Sequence, residues 1–220
     1  MFVAFISFGL CESGTYIVND LLDLEADRQH PRKRRRPFAS GDLSASSGVA
    51  VIGLFLVASV CLAILLPHVI DLITPSLSLG RPYHFLEWLG IYAVTTLAYS
   101  LQLKRAVMVD VIVLSGLYTI RILAGSAATG VAVSTWLASF SIFFFLSLAF
   151  VKRFAELENL RERGGSTAGG RGYHVSDIEQ LRSFGSASGY VSVAVLTLYI
   201  SNLNAAALYH HTNRLWLLVP

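Results

Sequence analysis

Ser46-Ser47-Gly48-Val49-Ala50-Val51-Ile52-Gly53-Leu54-Phe55-Leu56-Val57-Ala58-Ser59-Val60-Cys61-Leu62-Ala63-Ile64-Leu65-Leu66-Pro67-His68-Val69-Ile70 contains no Asp, Glu, Lys or Arg. A bilayer core about 30 Å thick needs about 20 predominantly apolar residues in one helix, and this run supplies them. Lipid offers the backbone no water to bond, so a crossing segment must satisfy its own N–H and C=O groups. The apolar residues are continuous rather than alternating, which argues against a barrel strand. The run reads as a transmembrane helix.

The same pattern extends to both sides. Stretches at about 1–22, 83–101, 106–130, 133–151 and 184–204 are also long and apolar enough to span, and a further apolar run begins at Leu215 and reaches Pro220. The expected fold is an all-α, multispanning transmembrane helix bundle with six complete spans plus a truncated seventh. Composition agrees: of 220 residues 54% are hydrophobic and 14% charged, against roughly 25% charged in soluble domains, and mean hydropathy is +0.60. A soluble enzyme, a disordered tail, a disulfide-stapled miniprotein and a collagen-like fibre are excluded. Cys11 and Cys61 lie in apolar blocks, where an isolated thiol behaves as a small hydrophobe. No nucleic-acid partner is expected.

Basic residues orient the bundle. Arg28, Arg32, Lys33, Arg34, Arg35 and Arg36 follow the first span, Lys104 and Arg105 follow the third, and Lys152, Arg153, Arg161, Arg163, Arg171 and Arg182 follow the fifth. These alternate connections lie on one face, whereas the opposite face has only Arg81 and Arg214. The positive-inside rule makes the rich face cytoplasmic, with 152–182 a cytoplasmic loop segment. Met1 then lies outside, as though another span preceded it. The chain reads as a fragment of a larger bundle, in a plasma (inner) membrane.

Next to the first span stands Asn19-Asp20-Leu21-Leu22-Asp23-Leu24-Glu25-Ala26-Asp27. At helical spacing Asn19, Asp20, Asp23 and Asp27 fall within an arc of about 100°, and Tyr16 and Glu12 carry the same polar face into the membrane. The carboxylates sit at the C-terminal end of the helix, where negative charge opposes the macrodipole. They also repel one another, and a local rule broken this way marks a functional site. A hard divalent cation relieves both penalties: magnesium takes oxygen ligands and bridges carboxylates to substrate phosphates. The run Arg32 to Arg36 adds guanidinium groups suited to phosphate oxygens, although such runs also simply orient spans on anionic lipid.

These residues carry a resemblance. Asn19-Asp20-x-x-Asp23-x-x-x-Asp27, then Arg32, Arg36-Pro37 and Gly41, resembles the signature of the UbiA superfamily of intramembrane prenyltransferases. The resemblance implies a bundle of nine helices around a central cavity, of which 1–220 is a single transmembrane domain lacking the first and last helices. It implies Mg2+ held by Asp20, Asp23 and Asp27, oriented by Asn19, and a polyprenyl phosphate or diphosphate lipid as substrate. The second Asp-rich motif of the family is replaced by Lys152-Arg153-Phe154-Ala155-Glu156-Leu157-Glu158, where only Glu156, or Glu158, could assist a second metal. Tyr99-Ser100-Leu101-Gln102-Leu103-Lys104-Arg105, Asp110, Arg121, the Lys-Arg-Phe-Ala-Glu segment and Gly172-Tyr173 resemble the branch that transfers phosphoribose from phosphoribosyl pyrophosphate to a polyprenyl phosphate.

Asp110 and Arg121 are separated by nearly three helical turns and so share a face of the fourth span. An arginine inside a span costs at least about 2.5–3.5 kcal/mol unless it is paired or lines a wet cavity. Arg121 is therefore expected to face a phosphate or a carboxylate from the first span, with a structural ion pair as the plainer alternative. The expected substrate-binding set is Arg32, Arg36, Tyr99, Lys104, Asp110, Arg121, Lys152, Arg153 and Glu156. His210-His211, His68, His84, His174 and Phe143-Phe144-Phe145 lie away from the acidic stretch or read as packing surface. Three functions are compatible: phosphoribosyl transfer to polyprenyl phosphate, prenyl transfer to an aromatic acceptor, and a non-catalytic lipid-binding or transport bundle.

Overall fold

A computed structural model describes residues 1–29, 32–73, 83–166, 171–201 and 215–219. Eight α-helices are present among them: α1 (Phe2–Leu22), α2 (Leu24–Gln29), α3 (Pro37–Ser40), α4 (Ala45–Ile73), α5 (His84–Leu101), α6 (Val109–Thr129), α7 (Thr135–Glu162) and α8 (Ile178–Ser201). No strand occurs among the described residues. Five segments are long and apolar enough to cross a membrane: Phe2–Leu22, Ala45–Leu72, Val109–Thr129, Thr135–Glu162 and Val175–Ser201. The stretch at 83–101, expected as another span, forms a helix, but His84, Glu87, Thr95, Thr96 and Tyr99 leave it less apolar than these five. The segment 152–182 is helical at both ends, where α7 runs on to Glu162 and α8 starts at Ile178, with a short 3-10 turn at Val175–Asp177 between them. Of the terminal apolar run, Trp216–Leu218 forms a 3-10 turn. Arg81, Arg214 and His210-His211 lie outside the described residues.

The chain divides into two compact units. The first comprises Met1–Ala106 and Ile120–Ala132. In it α1 packs along α4 and against α5. The α1–α4 contact includes a reciprocal pair: Ser7 Oγ donates to the Ser59 carbonyl at 2.8 Å and Ser59 Oγ to the Ser7 carbonyl at 2.7 Å. Small residues allow that approach. Gly14 faces Leu56 and Phe55, and a Cβ at Gly48 would stand 2.8 Å from the Phe38 ring of α3.

The second unit comprises Val107–Thr119 and Val133–Pro220. Its main contact is α7 with α8, where Gly185 and Gly189 lie against Phe150 and Ser147, and Ser147 Oγ donates to the Gly185 carbonyl at 2.9 Å. Close backbone approach through small residues, with hydroxyls bonding across it, is the ordinary way helices associate in lipid. Val111, Ala149, Phe150, Leu157, Tyr173, Ile178 and Leu181 form its core.

Candidate active site and family

The acidic face is built at an interruption in the helix. α1 stops at Leu22 and α2 starts at Leu24, with Asp23 between them at φ −94°, ψ 6°. The hydrogen bonds continue across the break: Asp23 N–H donates to the Asn19 carbonyl at 3.0 Å and Asp27 N–H to the Asp23 carbonyl at 2.8 Å. The spacing of Asn19, Asp23 and Asp27 therefore remains helical through the interruption.

Three cations from other segments meet this face. Arg36 Nη1 donates to Asp20 Oδ1 at 2.6 Å and to Asp27 Oδ2 at 2.8 Å, so one nitrogen lies between two carboxylates. Lys33 Nζ lies 3.7 Å from Asp27 Oδ1. Lys104 Nζ lies 2.5 Å from Asp23 Oδ1 and 3.4 Å from Asn19 Oδ1. Asp27 and Lys104 are buried, the other members half-buried. Each aspartate thus has a counter-charge, which works against their mutual repulsion and the helix dipole.

Local sequence places these cations. Pro37 opens α3, and the residue before a proline is driven out of the helical region; Arg36 accordingly has φ −66°, ψ 146°. Gly41 ends α3 at φ +89°, a conformation glycine adopts without steric cost. Lys33 begins a 3-10 turn, Lys33–Arg35, capped by the exposed Arg32. Lys104 sits in a second such turn, Leu103–Arg105, directly after α5. Lys33 was not among the residues expected at the site. Its signal was available in the period of a 3-10 turn, which sets residues 33 and 36 on one side.

The donor set here is oxygen only, which suits magnesium rather than a soft metal. No group of three His, Cys, Asp or Glu side chains is gathered around one point among the described residues. Two carboxylates turned towards a single cationic nitrogen fit an ion that is held by one or two carboxylates and completes its shell with water and substrate phosphate.

Deeper along α1, Glu12 Oε1 accepts from Arg121 Nη2 at 2.5 Å. Arg121 Nη2 also lies 3.3 Å from Tyr92 Oη, and its guanidinium stands 5.6 Å from the Tyr92 ring centre. Arg121 is thereby paired with a carboxylate of α1. Tyr99 is half-buried near the end of α5.

In the second unit Asp110, Arg153 and Glu156 form one network with Arg171 and Tyr173. Asp110 is fully enclosed and pairs with the equally enclosed Arg153. Arg153 Nη1 also lies 2.5 Å from Glu156 Oε2, and Arg171 Nη1 lies 2.5 Å from each Glu156 oxygen. Tyr173 Oη donates to Asp110 Oδ1 at 2.5 Å and accepts from Met108 N–H at 2.9 Å. Met108 is the one non-glycine with positive φ, 68°, among the described residues. Burial pushes the Tyr173 hydroxyl well above the ordinary tyrosine range, and its hydrogen bond to Asp110 adds to the shift. Enclosure of this kind turns Asp110 and Arg153 towards each other, while Lys152 stays exposed on α7.

The chain is 38% identical over 216 residues to an uncharacterized protein y4nM of Sinorhizobium fredii, covering 98% of this chain and 39% of that protein. It is 36% identical to the nodulation protein NoeC of Azorhizobium caulinodans, covering 94% of this chain and 62% of NoeC. Decaprenyl-phosphate phosphoribosyltransferase of Mycobacterium tuberculosis is 37% identical over 164 residues, covering 74% of this chain and 49% of the enzyme. The chain thus spans less than two thirds of the length of each of these relatives. The profile of the UbiA prenyltransferase family matches residues 1–219. With five membrane-crossing helices and a family match across nearly its whole length, this chain is an integral membrane protein and belongs to the UbiA prenyltransferase family.

Proposed function

We propose that this chain acts in a membrane transferase that moves 5-phosphoribose from phosphoribosyl pyrophosphate to a polyprenyl phosphate, at the cytoplasmic face of the plasma membrane. One observation carries the reading: three aspartates at the end of a span are each met by a cation from another segment, Arg36, Lys33 or Lys104. The decaprenyl-phosphate phosphoribosyltransferase of M. tuberculosis, similar over 164 residues, supports this choice of donor and acceptor.

In this reading the bond between ribose C1 and a pyrophosphate oxygen breaks, its electron pair leaving on pyrophosphate. An oxygen of the polyprenyl phosphate forms the new bond to C1. Magnesium, held by Asp20, Asp23 and Asp27, supplies positive charge to the leaving oxygens when bound. Arg36 and Lys33 exchange carboxylate oxygens for phosphate oxygens, with Arg32 adding charge at the entrance. The planar guanidinium of Arg36 suits that exchange because it can bond two oxygens at once. Lys104, being buried, holds Asp23 in place and acts in a medium where charge is weakly screened. Asp110 and Arg153, enclosed by their own unit, position the loop at Arg171 and Tyr173 rather than touch substrate. The apolar spans hold the polyprenyl chain.

Membranes carrying the chain should be supplied in parallel with labelled phosphoribosyl pyrophosphate plus polyprenyl phosphate, and with a labelled prenyl diphosphate plus an aromatic acceptor. Label in the lipid fraction from the first pair alone supports the reading. Label transferred only from the prenyl diphosphate replaces it with aromatic prenylation. Transfer from neither, with both lipids bound, favours a non-catalytic bundle.

A further inference from the structure

The run Arg32 to Arg36 contains two populations of cations. A 3-10 turn has about three residues per turn, so side chains three apart lie one above the other. Lys33 and Arg36 occupy one such row and reach the aspartates. Arg34 and Arg35 fall outside that row, and both are exposed. No ion pair involving either occurs among the described residues, whereas Arg28, earlier in the segment, lies 3.8 Å from Glu25.

The position of this turn limits what it can meet. α1 ends at Leu22 and α4 begins at Ala45, and both are long and apolar enough to span. The residues joining them therefore stay beside the membrane surface. Leu22 and Leu43, at the two ends of the connection, are 48% and 49% exposed, as expected where a chain enters an acyl boundary. Asp42, next to Leu43, accepts a hydrogen bond from Ser40 Oγ at 2.7 Å and is turned to its own helix end.

We propose that Arg34 and Arg35 form a docking surface for anionic phospholipid headgroups, distinct in role from Lys33 and Arg36. The shared chemistry is a phosphate oxygen on a guanidinium, and the source is the leaflet, because headgroups are concentrated in the plane where these arginines stand. Clustered cations just beyond a span attract acidic lipid at short range, with an effect of about fivefold in affinity per arginine, and salt weakens it. The surface anchors the connection whose inner row holds the aspartates, and it does not depend on which reaction the site performs.

The test uses the whole chain in nanodiscs of phosphatidylcholine, with and without added phosphatidylglycerol, and reads the melting temperature. The wild-type chain should melt higher in the acidic discs, and high salt should erase most of that rise. Arg34→Gln combined with Arg35→Gln should lose most of the rise while melting normally in neutral discs. Arg34→Lys with Arg35→Lys should retain it, which keeps the test decisive if the glutamine variant folds poorly. A full rise in a folded glutamine variant, or a rise insensitive to salt, overturns the proposal. So does an equal rise produced in neutral discs by inorganic phosphate, which would make free phosphate the ligand.

Discussion

Lys104 Nζ lies 2.5 Å from Asp23 Oδ1, and this ion pair ties the turn after α5 to the interruption between α1 and α2. Lys104 is nearly enclosed and Asp23 is 29% exposed at its side chain, so neither is fully solvated when the other is removed. Lys104→Met should therefore destabilise the chain by about 1–3 kcal/mol, the cost of leaving a charged group short of its partner. Adding Asp23→Asn should return part of that loss. Thermal melts of the two single variants and the double variant check this; an additive double variant would remove the coupling.

Asp20→Asn and Asp23→Asn should abolish magnesium-dependent binding of a phosphorylated donor while leaving the helical content intact. Considered as repelling charges at a helix end, these aspartates ought to gain stability when neutralised. Pairing with the nearly enclosed Lys104 reverses that expectation for Asp23, so Asp23→Asn should melt slightly lower without metal. Asp20 shares Arg36 with Asp27 and still faces like charges, so Asp20→Asn should melt no lower than the wild-type chain. Donor binding with and without magnesium, measured beside helical circular dichroism, separates the two effects.

Arg153→Met should be the most destabilising single change considered, about 3–5 kcal/mol, because it leaves Asp110 charged and enclosed. Replacing both, as Arg153→Met with Asp110→Leu, should recover much of the loss. Melting curves in detergent are sufficient. Equal stability of single and double variants would show that the pair is not the reason for the loss.

Tyr173 carries a sign that can be worked out. Its hydroxyl holds its proton more tightly in the folded chain than in the unfolded one. The associated stability is complete below the ordinary tyrosine value of about 10 and is lost as pH rises beyond it, since the unfolded state releases its proton first. The melting temperature should fall as pH is raised above about 10, and Tyr173→Phe should flatten that fall. At neutral pH the same variant should lose about 1–3 kcal/mol, because Met108 N–H loses its acceptor and Asp110 loses a donor.

Gly48→Leu should displace α3 by overpacking, since even a Cβ there would stand 2.8 Å from the Phe38 ring. A cost of about 1–3 kcal/mol is expected, and Arg36, the residue immediately before α3, should lose its grip on Asp20 and Asp27. Weaker donor binding in Gly48→Leu than in Gly48→Ala, at matched folding, checks the link between packing and site.

Much of this was legible in the chain itself. The composition of residues 46–70 suffices to place a helix in lipid, because a bilayer imposes one length and one polarity on whatever crosses it. The helical period puts Asn19, Asp20, Asp23 and Asp27 on one face, and Pro37 and Gly41 mark the ends of α3 through their backbone restrictions alone. Those are local rules, acting over a few residues. Arg121 was a partial exception: the cost of its charge inside a span called for a phosphate or a carboxylate of the first span, and it meets Glu12 across 109 residues. The other partners were not legible. Lys104 meets Asp23 across 81 residues and Tyr173 meets Asp110 across 63. A cation beside a span looks the same in sequence whether it turns to solvent, to lipid or to a carboxylate. Which of these it does depends on where other helices come to rest, and that is set by packing summed over the whole unit rather than by its own neighbours.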